Sequence, residues 1–295
     1  MKIRILNVAI VLLGFVGLTA CTSQPQQNSS SEPQQVKLVY TDWSEAVALS
    51  QLSKLMLEEE MGFEVQLKLV GVDSAYAELA RGDADVFADA WLPETQSQYW
   101  AKYADSLEKL SILYPHARTG LVVPAYSRFH SIGDLKSSET AIVGIEADAG
   151  IMFQTRRAIT DYQLSTVSLK NLSEKEMTTQ FAEAYKRMEE MVITGWEPHW
   201  LFDRFKVRFL DDPKLVFGEQ ENIYAIATKG LEGRFPQVVR LFERMQLSEK
   251  QMNSLIYLMS SEADPEDGVR EWMQKNEYLV NQWVRNLRPE RKKIM

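Results

Sequence analysis

Trp43, Trp91 and Trp196 are the side chains whose type and setting point most directly to chemistry. Their contexts are Thr41-Asp42-Trp43-Ser44-Glu45, Ala90-Trp91-Leu92-Pro93 and Gly195-Trp196-Glu197-Pro198-His199-Trp200. Each follows an apolar run that reads as a strand and precedes a helix pattern. A core tryptophan more often sits mid-element, on an apolar stripe. A ring at the carboxyl end of a strand points into the crevice where α/β sheets take ligands. Several such rings turned on one another form a cage, and their electron-rich faces suit a quaternary ammonium cation.

Other chemistries find little support. His116, His130 and His199 are scattered, and neither a Gly-x-Ser-x-Gly elbow nor a His-Glu-x-x-His pair occurs. Cys21 is the single cysteine, which rules out a disulfide framework and a cysteine metal site. No cofactor or metal is expected. Asp83 and Asp85 read as turn-capping residues, and Glu45 as a first-turn helix carboxylate or a group that meets the cation. His199 reads as a capping or supporting residue, and Trp100, Trp200, Trp272 and Trp283 as packing residues. An extracytoplasmic enzyme would lack its nucleophile and base. A sensor or scaffold domain using the same cleft stays open.

The elements that must position these rings alternate. Strand patterns run over 36–40, 64–70 and 85–88, with helix patterns over 44–61, 74–81 and 93–103, the first two helices stopped by Gly62 and Gly82. The rhythm recurs, with strands at 141–145, 166–169 and 191–194 and helices at 150–162, 175–188 and 198–205. Such alternation means βαβ units and largely parallel sheets. The end is all helix, over 235–246, 249–260 and 265–284. Two apolar runs, Gly120–Pro124 and Ile223–Thr228, read as crossings between two α/β lobes joined by a two-strand hinge. The expected lobes are 36–121 plus 224–285, and 122–223.

The ends read differently. Lys2 and Arg4 precede an apolar stretch that closes in Leu18-Thr19-Ala20-Cys21, matching a bacterial lipobox, so 1–20 is an expected signal peptide and Cys21 the lipidated residue. Residues 21–35, rich in Ser, Gln and Pro, are expected to tether the folded part. Loss of Lys2 and Arg4 takes the net charge from −8 to −10, which argues against nucleic acid as a partner. Residues 286–295 form a basic tail.

Four motifs occur in series: Trp91-Leu92-Pro93; Gly120-Leu121-Val122-Val123-Pro124; Gly144-Ile145-Glu146 with Ala149-Gly150-Ile151-Met152; and Gly195-Trp196-Glu197-Pro198-His199-Trp200-Leu201-Phe202. Together they resemble the substrate-binding proteins of ABC transporters for glycine betaine, choline and related osmoprotectants, over essentially the whole folded region. The resemblance implies a two-lobed, hinge-closing α/β fold of the type II periplasmic-binding-protein kind, with the ligand cleft between the lobes. It implies a non-enzymatic, extracytoplasmic lipoprotein whose partners are an ABC permease and its ATPase subunit. Trp43, Trp91 and Trp196 match the cage, Gly150 and Ile151 the amides that hold a ligand carboxylate, and Tyr114 a fourth wall of choline binders. Helix-start amides favour an anion on physical grounds as well. Two positions depart from the pattern. Gln96 stands where some betaine binders have a carboxylate-gripping His, and Asp148 stands close to the Gly-Ile pair. An amide brings no charge and a carboxylate repels an anion, so both shift the expectation towards a choline-like ligand.

Overall fold

The computed structural model describes residues 35–289. The leader at 1–20, Cys21, the tether up to residue 34 and the tail from residue 290 lie outside the described residues.

Among the described residues nine strands and eleven α-helices follow in the order β1 (Gln35–Tyr40), α1 (Ser44–Leu55), β2 (Glu64–Leu69), α2 (Val72–Arg81), β3 (Val86–Leu92), α3 (Ser97–Tyr103), β4 (Leu107–Pro124), β5 (Ile142–Gly144), α4 (Gly150–Asp161), β6 (Leu169–Asn171), α5 (Glu174–Lys186), β7 (Val192–Glu197), α6 (Leu201–Arg204), β8 (Val207–Phe209), β9 (Glu221–Thr228), α7 (Leu231–Arg234), α8 (Pro236–Arg244), α9 (Glu249–Ser261), α10 (Pro265–Lys275) and α11 (Glu277–Trp283). The strand order is β2-β1-β3-β9-β4-β7-β5-β6, with β8 on β4. Parallel pairs flank β1 and β5, whereas β4 and β9 are antiparallel to their neighbours, so the sheets are mixed rather than largely parallel.

β4 is the feature that sequence reading missed, apart from its last turn of apolar residues. Its first part, to Ala117, pairs with β9, and from Arg118 it pairs with β7 and β8. The strand thus changes partners between Ala117 and Arg118, just after an irregularity where His116 has φ 62°. The crossing therefore precedes Gly120–Pro124, which already belongs to the second set of strands. Ile223–Thr228 likewise does not cross: it pairs with β3 and β4 throughout, and residues 210–220 make the return. A strand interrupted by bulges and polar residues offers no clean alternation, which hides its length.

Two expected helices are shorter. Pro93 and Pro198 do not open helices; a cis peptide bond precedes each, and the helices begin at Ser97 and Leu201. The expected strand at 166–169 falls later, over Leu169–Asn171. The expected long helix over 265–284 breaks at Asn276 into α10 and α11. Gly82 ends α2 in the left-handed region, φ 74°, as a Gly after a last helical turn does.

Helices α1, α2 and α8–α11 pack with β1, β3 and the first part of β4, while α4 and α5 pack on β5, β7 and the second part of β4. The terminal helices therefore return to the half that opened the chain. Trp272 and Trp283 stack there, ring centroids 6.2 Å apart, as core residues. Arg288, expected in a solvated tail, donates to Glu60 at 2.7 Å. Among the described residues no helix is long and apolar enough to cross a membrane.

Candidate ligand-binding site

Trp43 takes an extended conformation just before α1, and Trp91 and Trp196 are the penultimate residues of β3 and β7. Pairing of β3 with β9 shifts register between Phe87 and Ala90, and such a bulge re-aims the side chains that follow. All three rings are buried. They line one small cavity together with the apolar Ile145, Ala149, Gly150 and Ile151 and the polar Glu45, Thr95, Gln96 and Thr119. Glu45 is the single charged side chain in that lining. The space between the rings is tight and suits a molecule of few atoms.

Each indole N–H is bound to a carboxylate. Trp43 donates to Glu146 at 3.2 Å, Trp91 to Asp89 at 2.9 Å and Trp196 to Glu45 at 2.8 Å. With its one donor engaged, each ring has only carbon left to present to a ligand. Two of these bonds join elements of different halves: Trp43 precedes α1 and Glu146 follows β5, while Trp196 lies on β7 and Glu45 on α1. A second bridge lies behind them. Glu174, at the start of α5, accepts from the Ser44 backbone N–H at 2.9 Å and from the Ser44 hydroxyl, and pairs with His199 Nε2 at 3.0 Å. Trp200 donates to the same hydroxyl at 3.1 Å. The structure is therefore closed over the cavity.

The carboxyls behind the rings are not alike. Burial pushes Glu45 well above the usual carboxylate range, and the charges of Asp89 and Glu174 push the same way against the Trp196 N–H. Burial also raises Asp89, opposed by the Trp91 N–H. Burial works against ionisation of Glu174 too, but His199 and Ser44 outweigh it and hold this carboxyl below its ordinary value.

The other end of the cavity is a helix start. Ala149 has no side chain to cap α4, and Met152 N–H bonds Ala149 O at 2.9 Å. The amides of Gly150 and Ile151 have no acceptor among the described residues and sit where an anion is stabilised. A Cβ at Gly150 would lie 2.1 Å from the Thr95 carbonyl oxygen, so only Gly lets α4 approach the β3–α3 turn. Thr95 is fixed from the far side by Glu221, which accepts its backbone N–H at 3.1 Å as well as its hydroxyl. Thr119 donates to Gln154 at 3.1 Å.

Of the residues singled out from sequence, Trp43, Trp91, Trp196, Gly150, Ile151 and Gln96 meet at this cavity, and Tyr114 does not. Tyr114 is buried on β4 and lines a neighbouring pocket with Glu197, Pro198 and His199, because the irregular stretch of β4 ahead of Ala117 directs it there. Gln96 lines the cavity but its amide is held: Oε1 accepts from Tyr76 at 2.9 Å and Nε2 donates to the Asp89 carbonyl at 3.2 Å. Asp148 is exposed and does not line the cavity; its carboxylate faces Gly71, and its backbone carbonyl accepts from Tyr99 at 2.5 Å. Solvent therefore screens its charge, and it is not part of the cavity wall beside the amides. His199 caps α6 through Nδ1, at 3.0 Å from Leu201 N, and sets its ring edge-on to Trp196 at 4.7 Å. Sequence reading missed Asp89, Thr95 and Thr119. Only Asp89 carried a signal, since the two-residue period of a strand places it on the face of Trp91.

Two sheets sharing one long strand, with a ring-lined cavity where their halves meet, define an α/β ligand-binding protein of the two-lobed, hinge-closing kind. Residues 34–275 match the family described as the substrate binding domain of the ABC-type glycine betaine transport system, and the chain belongs to that family. Lactococcal OpuAC, solved in its closed-liganded conformation complexed with glycine betaine, is 32% identical, with a TM-score of 0.81 over 85% of this chain and 99% of that one. The glycine/betaine/L-proline-binding protein ProX from Borrelia burgdorferi is 27% identical, with a TM-score of 0.81 over 87% of this chain and 97% of that one. The glycine betaine/carnitine transport binding protein GbuC of Listeria monocytogenes serotype 1/2a (strain 10403S) is 33% identical over 175 residues, 59% of this chain. That match spans 58% of the relative's length.

Proposed function

We propose that this chain captures a small quaternary ammonium compound between Trp43, Trp91 and Trp196 and delivers it to an ABC permease and its ATPase subunit, without chemistry of its own. The observation that carries this reading is the convergence of three rings with engaged N–H groups on one buried cavity. A desolvated cation–π contact contributes about 2 kcal/mol, so three rings contribute about 6 kcal/mol. Micromolar affinity requires about 8 kcal/mol, which leaves a modest share for the rest of the ligand. A trimethylammonium group has no N–H to leave unpaired among the rings, unlike a primary amine.

The two free amides at Gly150 and Ile151 favour a ligand with a carboxylate, which places glycine betaine and related betaines first. Glu45 in the lining favours a second reading, a purely cationic ligand such as choline, because it supplies a counter-charge that a zwitterion already carries. In this account the lobes are those read from sequence, 36–121 plus 224–285 and 122–223, with their edges moved to the partner change of β4 between Ala117 and Arg118, which is the pivot, and to the return at 210–220. Ligand bridging the lobes stabilises the closed form that the permease recognises. Anchoring through lipidated Cys21 on the outer face of a membrane follows from the Leu18-Thr19-Ala20-Cys21 motif, and Cys21→Ala is expected to release the protein from the membrane fraction with ligand binding intact. The functional test is a thermal-shift screen of choline, glycine betaine, proline betaine and carnitine against ethanolamine and glycine. At least one quaternary compound is expected to raise the melting temperature, while the primary amines leave it unchanged. Stabilisation by none of the four contradicts the proposal.

A further inference from the structure

We infer that Glu45 and Asp89 act as a buried carboxyl pair that releases a proton when a quaternary ammonium ion enters the cage, so that cation binding and proton release are coupled at this site. This rests on the functional reading above and adds to it a chemical role for Asp89, which does not itself line the cavity.

The geometry is specific. Glu45 is 1% exposed and Asp89 fully buried, and each uses one oxygen to hold a cage ring, Trp196 and Trp91 respectively. The second oxygen of Asp89 is buried without any hydrogen-bond partner among the described residues. The groups facing Glu45 are Asp89 from β3, Glu174 from α5 and the Trp196 indole from β7; those facing Asp89 are Glu45, the Trp91 indole and the Tyr76 phenol from α2. None of these is a cation. His199 lies edge-on to Trp196 and is already paired with Glu174. Two buried carboxyls with no cation beside them retain a proton. Burial accordingly raises both carboxyls, and the charge of Asp89 raises Glu45 further.

A quaternary ammonium ion in the cavity is the missing counter-charge. It stabilises the fully ionised pair, and the proton passes to solvent. The balance is one cation in and up to one proton out, with no bond made or broken except the carboxyl O–H. Because the pair titrates as a unit, the released proton belongs to both residues. The sign follows from linkage: the free pair binds more protons than the occupied pair, so affinity rises with pH, by at most about tenfold per pH unit, until the free pair is ionised.

The experiment is isothermal titration of the full-length protein in detergent with choline chloride and with glycine betaine, across about pH 5 to 8, at each pH in two buffers that both hold that pH and differ in ionisation heat. The expected result is an observed enthalpy that differs between the two buffers in proportion to their ionisation heats, corresponding to release of up to one proton per ligand. Asp89→Asn is expected to shift the release to lower pH, and Glu45→Gln to abolish it. Both variants are checked for fold by circular dichroism, and the wild-type buffer comparison decides the question even if one misfolds. Tight binding with the same enthalpy in both buffers at every pH overturns this inference and leaves the functional reading standing. Release that survives Glu45→Gln but is lost in His199→Asn assigns the proton to the histidine and also overturns it. Binding of neither ligand overturns the functional reading, and this inference with it.

Discussion

Trp196 on β7 donates its indole N–H to Glu45 on α1 at 2.8 Å, across the line where the two halves meet. The Trp43–Glu146 bond crosses the same line in the opposite sense. Each half therefore supplies a ring to the cavity and an acid that holds the other half's ring. Closing the halves completes the cage and fixes its walls in one step, so ring geometry and closure are a single event.

Trp91→Ala is expected to cost about 2 kcal/mol of binding, or roughly thirtyfold in affinity. Trp100→Ala, on the following helix, is expected to leave affinity nearly unchanged. Trp100 is only partly buried and lies under the Lys109 ammonium at 4.8 Å, so its loss should cost less stability than the about 3–5 kcal/mol of a fully buried ring. Calorimetry and urea unfolding of both variants check the contrast. Equal affinity losses would contradict it.

Gly150→Ala is expected to block closure while both halves still fold. The added Cβ meets the Thr95 carbonyl oxygen, a backbone atom that cannot swing aside, at 2.1 Å. Small-angle scattering with saturating ligand should show the variant as extended as the unliganded wild type, and affinity should fall by about a hundredfold or more, since a small misplacement of bridging groups is costly. Wild-type compaction would show that α4 yields instead.

Glu174 gives a pH prediction. Its carboxyl is held below the ordinary 4.5 in the folded state, despite burial, by His199 and Ser44. A depressed carboxyl contributes stability that is fully present above its unfolded value and is lost as pH falls through the folded one. The bridge from α5 to α1 should thus persist at neutral pH and weaken below about pH 4.5. Melting temperatures of wild type and Glu174→Gln are expected to converge in acid and separate above that value. A constant difference at all pH values would contradict the role.

Much of this site was legible in sequence because it depends on backbone position. A tryptophan at a strand's end faces the crevice whatever else the fold does, and Gly150 at a helix start marks close approach. The partners were not legible. Glu146 lies 103 residues from Trp43, and Glu45 lies 151 from Trp196, so no local pattern reports those bonds. Tyr114 fell outside the cage because irregular pairing ahead of the partner change of β4 alters side-chain direction in a way the two-residue period cannot follow. The lobe crossings were misplaced for the same reason: one strand serves both halves, and its apolar run begins only after it has crossed. Asp148 looked adverse because it is near Gly150 in sequence, yet its carboxylate turns out to Gly71.

The central claim is that the cage selects a cation stripped of N–H groups. The most direct measurement is the calorimetric affinity for glycine, N-methylglycine, N,N-dimethylglycine and glycine betaine, which share a carboxylate and differ only in methylation. Affinity is expected to rise along the series and to be greatest for the fully methylated ion, because each remaining N–H would lie unpaired among rings whose own donors are engaged elsewhere. Equal affinity for glycine and glycine betaine would contradict the account.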